Sequence, residues 1–337
     1  MTMDVPFLEK ALLNPELYPD HPTEVGFAET HISLVFFTGN YVYKVKKPVD
    51  LGFLNFTSLE KRKLFCEQEV VLNRRLAPKL YLGVSRITNE KGILSLDGMG
   101  EVIEYAVKMR QIPEKLLMDK LLEENKVTPE MIEAVSEKLT QFYAIAETND
   151  FIKSFAKPER IQQDTDENFE ETEKYVGITI SNQTYEEIKG KTNEFLRTKG
   201  GLFYRRIASD RIRDCHGDLR MEHIFWGAEI EIFDCIEFNQ RFRYTDVAAD
   251  IAFLAMDIDF LGHEDLIHSL VQAYIEKSGD REILEVLDFY MCYRAYVRGK
   301  VESIRLDDPY IPELNKTEAA RRAKRYFGLS HRYAERL

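Results

Sequence analysis

Apolar and polar residues alternate along residues 25–47, VGFAETHISLVFFTGNYVYKVKK, which are also rich in β-branched and aromatic side chains. This alternation is typical of half-buried strands. The segment Thr38-Gly39-Asn40 interrupts it and predicts a tight turn. Residues 80–87 and 101–109 carry similar patterns. We therefore predict a small sheet of β-β-β-α-β-β order in the first part of the chain.

A helical period replaces the alternation in residues 58–76, SLEKRKLFCEQEVVLNRRL, and Pro78 ends it. Leu64, Val71 and Leu72 fall near one face of this predicted helix. After Pro113 the chain is mainly helical, and the pair Thr128-Pro129 predicts a capped helix start. Strong helical periods recur in residues 244–275 and 281–305.

These patterns predict an α+β protein with a β-rich part at 1–111 and a helical part at 112–337. The length of 337 residues fits one large or two moderate domains. Hydrophobic residues make up 44% and charged residues 31%, as in soluble globular proteins. The net charge of −12 argues against a general attraction to nucleic acid or to an anionic membrane.

The four cysteines, Cys66, Cys215, Cys235 and Cys292, stand singly without a CxxC pair. This spacing argues against a zinc site or a disulfide framework and favours a reducing cytosol. The first twenty residues include acidic side chains and lack a basic start, so we expect no signal peptide. No apolar run reaches the roughly 18–20 residues of a membrane helix. A cytoplasmic location is therefore expected.

Candidate chemistry concentrates in residues 215–239, CHGDLRMEHIFWGAEIEIFDCIEFN. Leu219 and the run 224–226 predict a strand, and residues 229–233 predict its hairpin partner. Asp218 and Asp234 would then lie at the same end of the hairpin. Two close carboxylates repel each other unless a cation or a shared proton separates them. One such arrangement has a carboxylate that accepts a proton and another that holds Mg²⁺.

The His-Gly-Asp-Leu turn followed by a hairpin and a second aspartate resembles the aminoglycoside phosphotransferase branch of the protein-kinase-like fold, which includes fructosamine and choline kinases. The resemblance extends to segments such as KKPVDLGFLNF, LNRRLAPKLYLGV and YRAYVRGKV. It implies a bilobal fold with a small β-rich N-lobe and a mainly helical C-lobe. It also implies that Asp218 is the catalytic base or orienting carboxylate, that His216 braces the loop, and that Asp234 binds Mg²⁺.

The same resemblance implies a nucleotide site in the β-rich lobe. Lys44, at the end of an apolar run, fits the strand lysine that reaches the ATP phosphates. Strand parity places Lys46 on the same face, so Lys46 stays an alternative. Glu69 on the following helix fits the lysine's ion-pair partner, with Glu67 as the alternative.

Two further segments of this site follow from the resemblance. The loop that covers the nucleotide would be residues 28–33, AETHIS, which has no glycine, so Ser33 and backbone groups would serve as donors. The hinge that binds adenine would lie at residues 109–112, around Met109 and Gln111. Backbone groups do this work, so ATP and GTP remain alternatives.

One position departs from the family pattern, because His223 stands where the relatives have a metal-binding asparagine. Mg²⁺ prefers oxygen ligands, whereas imidazole suits softer ions. Three alternatives follow. Asp234 alone holds one Mg²⁺, His223 joins it to bind Mn²⁺, or catalysis is weak or lost.

We therefore predict an ATP-dependent kinase that acts on a hydroxyl group of a small molecule. The alternatives are a nucleotide-binding regulatory pseudokinase and a metal-dependent phosphohydrolase with His216, Asp218, His223 and Asp234 as ligands. The absence of A-P-E and H-R-D motifs argues against a protein kinase that acts on proteins. The acceptor and the oligomeric state are not specified by the sequence.

Four residues outside the motifs bear on this prediction. Asp246 and Asp250 are expected to cap and brace a helix below the catalytic loop. Arg294 and Arg298 share a helix face and are expected to pair with carboxylates. If they line the cleft instead, they favour an anionic acceptor over a polycationic aminoglycoside. Glu237 and Asn239 are expected to shape the segment after Asp234, with substrate contact as the alternative.

Overall fold

A computed structural model of the protein describes residues 5–309 and 311–337. The chain divides into two compact units. The first runs to Leu121 and also includes Glu222–Gln240, and the second consists of Leu122–Met221 and Arg241–Leu337. The boundary falls within helix α3 (Met118–Glu123). The predicted division into a nucleotide-binding lobe, residues 1–111, and a catalytic lobe, residues 112–337, stays a prediction.

The first unit contains a six-stranded antiparallel sheet. Its strand order is β1-β2-β3-β6-β4-β5, so the third and sixth strands are neighbours near its middle. The predicted turn at residues 38–40 joins the second and third strands, and Gly39 has the positive φ of 86° that such a turn requires. The strands are β1 (Gly26–Glu29), β2 (Ser33–Phe37), β3 (Tyr41–Lys46), β4 (Tyr81–Glu90), β5 (Ile93–Leu96) and β6 (Glu101–Arg110).

The two faces of the sheet have different surroundings. One face carries Tyr43 and Val45, which pack in a core with helix α1 (Val5–Leu12). The opposite face carries Val42, Lys44 and Lys46, because side chains alternate along β3. The strand pattern of the sequence thus places two lysines on the inner side of a sheet, where a lysine needs a carboxylate partner.

Helix α2 (Leu59–Asn73) packs on β4 and β6, but not through the face that the sequence predicted. Leu64 and Val71, expected on the packed face, are 48% and 68% exposed. The buried residues are Arg62, Cys66, Glu69, Val70 and Asn73. The prediction of an apolar stripe was wrong because charged residues with tertiary partners occupy the packed face. Arg62, for example, donates from Nε to Glu104 Oε2 at 2.8 Å.

The segment Glu222–Gln240 forms the predicted hairpin within the first unit. Its strands are β8 (Ile224–Trp226) and β9 (Ile230–Ile232). Leu219, which the sequence placed in the first of them, is a buried loop residue, and one turn of 3₁₀ helix, Met221–His223, precedes the strand. Ile232 N donates to Leu76 O, so the hairpin is hydrogen-bonded to the segment that follows α2.

The second unit is mainly helical, which confirms the predicted α+β class together with the sheet. Thr128 caps its first long helix by accepting a hydrogen bond from Met131 N, as predicted. A short strand pair, β7 (Ile212–Asp214) and β10 (Tyr244–Asp246), was not predicted. The helices are α4 (Pro129–Ile145), α5 (Asp150–Ser154), α6 (Pro158–Thr172), α7 (Asn182–Ala208), α8 (Val247–Phe260), α9 (Asp265–Ser278), α10 (Ile283–Ile304) and α11 (Glu313–Ala334).

Helix α8 begins at Asp246, whose side chain accepts a hydrogen bond from Ala248 N, as the sequence predicted. The same carboxylate receives two hydrogen bonds of 2.6 and 2.7 Å from Arg206. Arg206 also donates to both oxygens of Asp280, at 2.7 and 2.9 Å. All three side chains are buried. This network therefore ties α7, α8 and the segment after α9 together through one guanidinium group.

Among residues 5–309 and 311–337, no helix combines the length and the apolar character needed to cross a membrane.

Replacing Arg206 with Met should lower the free energy of unfolding by about 3–5 kcal/mol, because Asp246 and Asp280 would be left as buried, uncompensated charges. Arg205 provides the matched control. It is exposed and pairs with Glu282 and Glu285 at the surface, so Arg205→Met should change the free energy by less than about 1 kcal/mol. Urea unfolding of the two variants measures the difference. Equal effects would contradict the structural role of the buried network.

Candidate active site

Lys44 lies at the centre of the predicted nucleotide site. Its Nζ is 2.8 Å from Asp234 Oδ1 and 3.0 Å from Glu69 Oε1. Glu69 is buried, whereas the predicted alternative, Glu67, is exposed and pairs with Lys63. Strand β3, helix α2 and the segment after β9 thus each supply one member of an ion-paired triad. The three residues that the sequence selected from three distant segments are brought together.

Lys46, the predicted alternative to Lys44, is fully buried beside the same glutamate. Its Nζ is 2.6 Å from Glu69 Oε2, and it also pairs closely with Glu237. The two lysines therefore share Glu69, one at each carboxylate oxygen. Lys46 is fully enclosed, whereas the side chain of Lys44 keeps 16% of its surface exposed. This difference favours Lys44 as the lysine that can reach a ligand.

Burial and mutual pairing together shift the pKa values of this cluster. Burial alone would lower the pKa of Lys44, but Asp234, Glu69 and Glu237 raise it well above its ordinary value. Burial works to raise the pKa of Glu69, yet Lys44 and Lys46 bring it below its ordinary value. Burial raises the pKa of Glu237 despite its pairing with Lys46. The cluster has three carboxylates and two ammonium groups, so its charge is one unit negative when all are ionised.

Hydrogen bonds hold the backbone at Asp234, while its side chain is partly exposed. Its φ of 64° lies in the left-handed region, which aspartate adopts more readily than most residues. Its N–H donates to the hydroxyl oxygen of Tyr81 at 3.3 Å, and the next N–H, of Cys235, donates to Asn73 Oδ1 at 2.8 Å. The carboxylate remains 43% exposed. A carboxylate fixed in this way can ligate a cation without leaving its position.

His223 is the second residue that the sequence assigned to a metal. It is buried, and its Nε2 is 3.6 Å from Asp234 Oδ2. The predicted pair is therefore adjacent. In the described part of the chain, no group of three or more His, Cys, Asp and Glu side chains is arranged to hold a metal ion. The predicted four-residue metal site divides between the two units, with His216 and Asp218 in the second and His223 and Asp234 in the first, and it stays a prediction.

Ser33 and its loop lie on the same side of the sheet. Ser33 pairs with Lys46 across β2 and β3, and its buried Oγ has no hydrogen-bond partner within residues 5–309 and 311–337. Facing residues of an antiparallel pair share one face. The preceding turn is closed by Thr30, whose Oγ1 accepts from Ser33 N at 2.9 Å. Ser33 thus offers one unused buried hydroxyl on the face that carries the two lysines.

Of the predicted hinge residues, Met109 lies in the sixth strand, which ends at Arg110, and Gln111 follows it. Met109 pairs with Val42 and packs against the core next to α2. Gln111 is engaged with the turn before β3, since its N–H donates to Asn40 O and its Oε1 accepts from Gly39 N, both at 2.9 Å. An adenine site here would therefore have to use donors and acceptors other than the N–H and Oε1 of Gln111. The hinge role stays a prediction.

The His-Gly-Asp turn belongs to the second unit and is braced by Asp250. Asp250 accepts hydrogen bonds from His216 N at 2.7 Å and Gly217 N at 2.9 Å. Gly217 has φ of 90°, and a Cβ there would lie 2.7 Å from Phe242 O. Only glycine fits this position. His216 is fully buried, and its Nδ1 accepts from Asp218 N at 3.3 Å, which agrees with its predicted role of bracing the loop.

Asp218 projects from this turn and is partnered by Arg220. Arg220 donates from Nε and Nη2 to the two oxygens of Asp218, at 3.1 and 2.9 Å. The side chain of Asp218 is 23% exposed. An ionised carboxylate has about four lone-pair sites, so this pairing leaves room for a hydroxyl group. Asp218 and Asp234 belong to different units, and their predicted proximity stays a prediction.

Two residues of this chemistry were missed or undervalued by the sequence analysis. Arg220 was not singled out, although its spacing of two residues from Asp218 is a visible signal. Glu237 was assigned to the shape of its segment, with substrate contact as the alternative, yet it pairs with Lys46. Asn239 does shape that segment, because its Nδ2 donates to Phe53 O at 3.0 Å. Two lysines on one face of a strand need more than one carboxylate when they are buried, and this is the signal that could have pointed to Glu237.

No model of a known protein family matches the chain. An uncharacterized protein of Mycobacterium tuberculosis is 32% identical over 303 residues, which are 90% of this chain and 58% of that protein. An uncharacterized protein of Mycobacterium bovis matches equally. The chain therefore spans 58% of the length of these curated relatives.

Solved structures similar to this chain are named as small-molecule kinases. A choline/ethanolamine kinase family protein from Mesorhizobium loti covers 98% of this chain and 99% of its own, with 12% identity and a TM-score of 0.49. A glucosamine kinase bound to glucosamine, ADP and inorganic phosphate covers 96% of this chain and 82% of its own, with 11% identity and a TM-score of 0.44.

Replacing Glu69 with Gln should lower the free energy of unfolding by about 3 kcal/mol, the lower end for a broken buried pair, because each lysine keeps a second carboxylate. Glu67→Gln is the matched control on the same helix. Glu67 is exposed, so its change should stay within about 0.5 kcal/mol. Chemical denaturation measures both. A Glu69 variant as stable as the Glu67 variant would show that the shared ion pair does not stabilise the fold.

Proposed function

We propose that this protein transfers the γ-phosphoryl group of ATP to a hydroxyl group of a small molecule. The observation that carries the proposal is Lys44, whose ammonium group pairs with both Glu69 and Asp234 inside one unit. A lysine fixed between a helix glutamate and a metal-binding aspartate is the phosphate-positioning device of protein-kinase-like phosphotransferases. The braced His-Gly-Asp turn of the second unit supplies the carboxylate that this chemistry also needs.

The donor groups of the first unit fit ATP and Mg²⁺. Asp234 offers a partly exposed carboxylate oxygen, the ligand type that Mg²⁺ prefers. Mg²⁺ is commonly held by one or two carboxylates together with phosphate oxygens and water, so a three-residue protein site is not required. The single negative charge of the cluster also suits a cation. Bound Mg²⁺ would neutralise charge that develops on the phosphate oxygens.

Lys44 and Ser33 would act on the nucleotide. Lys44 can exchange part of its pairing with Asp234 for phosphate oxygens while Glu69 keeps its position. Ser33 Oγ, buried without a partner, would gain a hydrogen bond from a bound nucleotide. His223, whose Nε2 lies 3.6 Å from Asp234 Oδ2, would limit the positions of that carboxylate rather than replace an oxygen ligand.

Asp218 would act on the acceptor. The acceptor oxygen bonds to the γ-phosphorus, the bond between that phosphorus and the leaving ADP oxygen breaks, and the hydroxyl proton passes to Asp218. Because the transition state is loose, the main contribution of the protein is to position the reactants and stabilise charge. Arg220, paired with both oxygens of Asp218, fixes the direction of that carboxylate.

The first experiment measures the thermal midpoint of the protein with and without ATP and Mg²⁺. A ligand at about 100 times its Kd adds about 2.7 kcal/mol of stability, which for a chain of this size is a rise of a few degrees. The rise should require Mg²⁺ and disappear in Asp234→Ala, while the surface variant Glu67→Gln should keep it. A rise that persists in Asp234→Ala would contradict the assigned metal site, and no rise with any nucleotide would contradict the proposed function.

The second experiment assigns Asp218. Asp218→Asn should keep the ATP-dependent rise of the thermal midpoint and lower acceptor-dependent ADP formation by roughly 10²–10⁴-fold, the usual contribution of a general base. Sugars, amino alcohols, nucleosides and aminoglycosides form the acceptor set. Full activity in Asp218→Asn would exclude this role. ATP binding by the wild-type protein without turnover on any acceptor would favour the pseudokinase alternative.

A further inference from the structure

A pocket in the second unit lies next to the His-Gly-Asp turn. Phe242 lines this pocket, and the carbonyl oxygen of Phe242 faces Gly217 of the turn. Its wall combines aromatic rings with charged groups, so it suits a ligand that has an apolar part and a charged part. We call it the aromatic pocket. Its lining includes Phe155, Asp164, Arg241, Tyr244, Tyr293 and Arg294.

Arg294 on helix α10 is a buried cation without a carboxylate partner. It is only 7% exposed, and its single hydrogen bond runs from Nε to Ala249 O at 3.3 Å. The guanidinium carbon lies 4.8 Å from the ring centre of Phe253. No ion pair reaches Arg294 in the described part of the chain. Buried charges are normally paired, so this guanidinium is ready to accept an anion.

The other charged residues in and beside the pocket pair with one another and not with Arg294. Asp164 pairs with Arg241 at 2.5 Å and with Arg160 at 3.3 Å. Glu167 also pairs with Arg241. Burial raises the pKa of Asp164, although both arginines counteract the shift. Three arginines therefore face two carboxylates, and Arg294 is the one without a partner.

The surplus of positive charge continues along α10 to Arg298, one turn further on. Its buried Nε has no hydrogen-bond partner among the residues that the structure describes, and its Nη2 lies 3.5 Å from Glu302 Oε1. Glu302 is shared with Arg305 and Arg322, each at 3.2 Å. Burial lowers the pKa of Arg298, but Tyr326, Asp218 and Glu302 together raise it above the ordinary value. Arg298 thus interacts with the carboxylate that would take the acceptor's proton.

We propose that the acceptor is an anionic hydroxyl compound whose carboxylate or phosphate binds Arg294, while its ring packs against the aromatic wall. This inference rests on the proposed kinase function and names the acceptor class of that site. Guanidinium groups bind both anions in a bidentate way, so the two share one chemistry. The sequence-based expectation that Arg294 pairs with a carboxylate of the chain was wrong. A polycationic aminoglycoside would bring further positive charge to a cationic wall.

Binding of simple aromatic probes to the protein tests the proposal. Phenyl phosphate, benzoate, benzyl alcohol and benzylammonium differ mainly in charge, and saturation-transfer NMR measures their affinities without ATP. At least one of the two anions should bind, and the neutral and cationic probes should bind at least 10-fold more weakly. Selective binding of phenyl phosphate would identify a phosphate-bearing acceptor, and binding of benzoate a carboxylate-bearing one.

Two variants decide whether Arg294 is responsible. Arg294→Gln should weaken binding of the preferred anion at least 10-fold, whereas Arg205→Gln on the surface of the same unit should leave it unchanged. The thermal midpoint of Arg294→Gln should equal or exceed that of the wild type, because the lost charge has no partner. Equal binding by wild type and Arg294→Gln, preference for benzylammonium, or no binding of either anion would each overturn the proposal.

The ATP measurement separates this proposal from the proposed function. An Asp234-dependent response to ATP and Mg²⁺ without anion binding at Arg294 would leave the kinase function intact and exclude the anionic acceptor. Anion binding at Arg294 without any response to nucleotide would support the anion site while contradicting the kinase function.

Discussion

The first unit depends on one carboxylate, that of Glu69, which pairs with two lysines at once. A lysine on the inner face of a sheet must find a negative charge, because burying an unpaired ammonium group is costly. Lys44 and Lys46 sit two residues apart on that face, so one glutamate from α2 can serve both. This arrangement fixes α2 against β3 through charge rather than through an apolar stripe. The outward position of Leu64 and Val71 is its direct consequence.

The second unit organises its turn by a comparable rule, since acidic side chains satisfy backbone donors. Asp250 receives two N–H groups of the His-Gly-Asp turn, and Asp257 accepts from Met221 N at 2.8 Å. Both aspartates lie on α8, one of the most completely buried helices. These hydrogen bonds anchor the turn to a buried helix and so restrict its motion. Asp218 can project from a loop and still keep a defined direction.

Local patterns predicted much of this architecture, and they failed where distant partners decide. Alternation located the three strands before α2, and the order of Lys44, Glu69, Asp218 and Asp234 predicted which residues matter. The buried face of α2 was not predictable from its period, because Arg62 and Glu69 are buried only by virtue of Glu104 and the two lysines. The pairing of Glu237 with Lys46 was missed for the same reason, because the sequence does not reveal that partner. Arg294 was singled out, but it lacks the carboxylate partner that its residue type suggests.

The path of the chain has a consequence for folding during synthesis. The first unit is not contiguous, since it is completed by Glu222–Gln240 only after one hundred residues of the second unit. A nascent chain that ends before this segment has Glu69 for both lysines but lacks Asp234 and Glu237. Its sheet would bury two ammonium groups beside a single carboxylate. The N-terminal part therefore cannot reach its final charge balance on the ribosome until residue 240 has emerged, although domains often fold in order of synthesis.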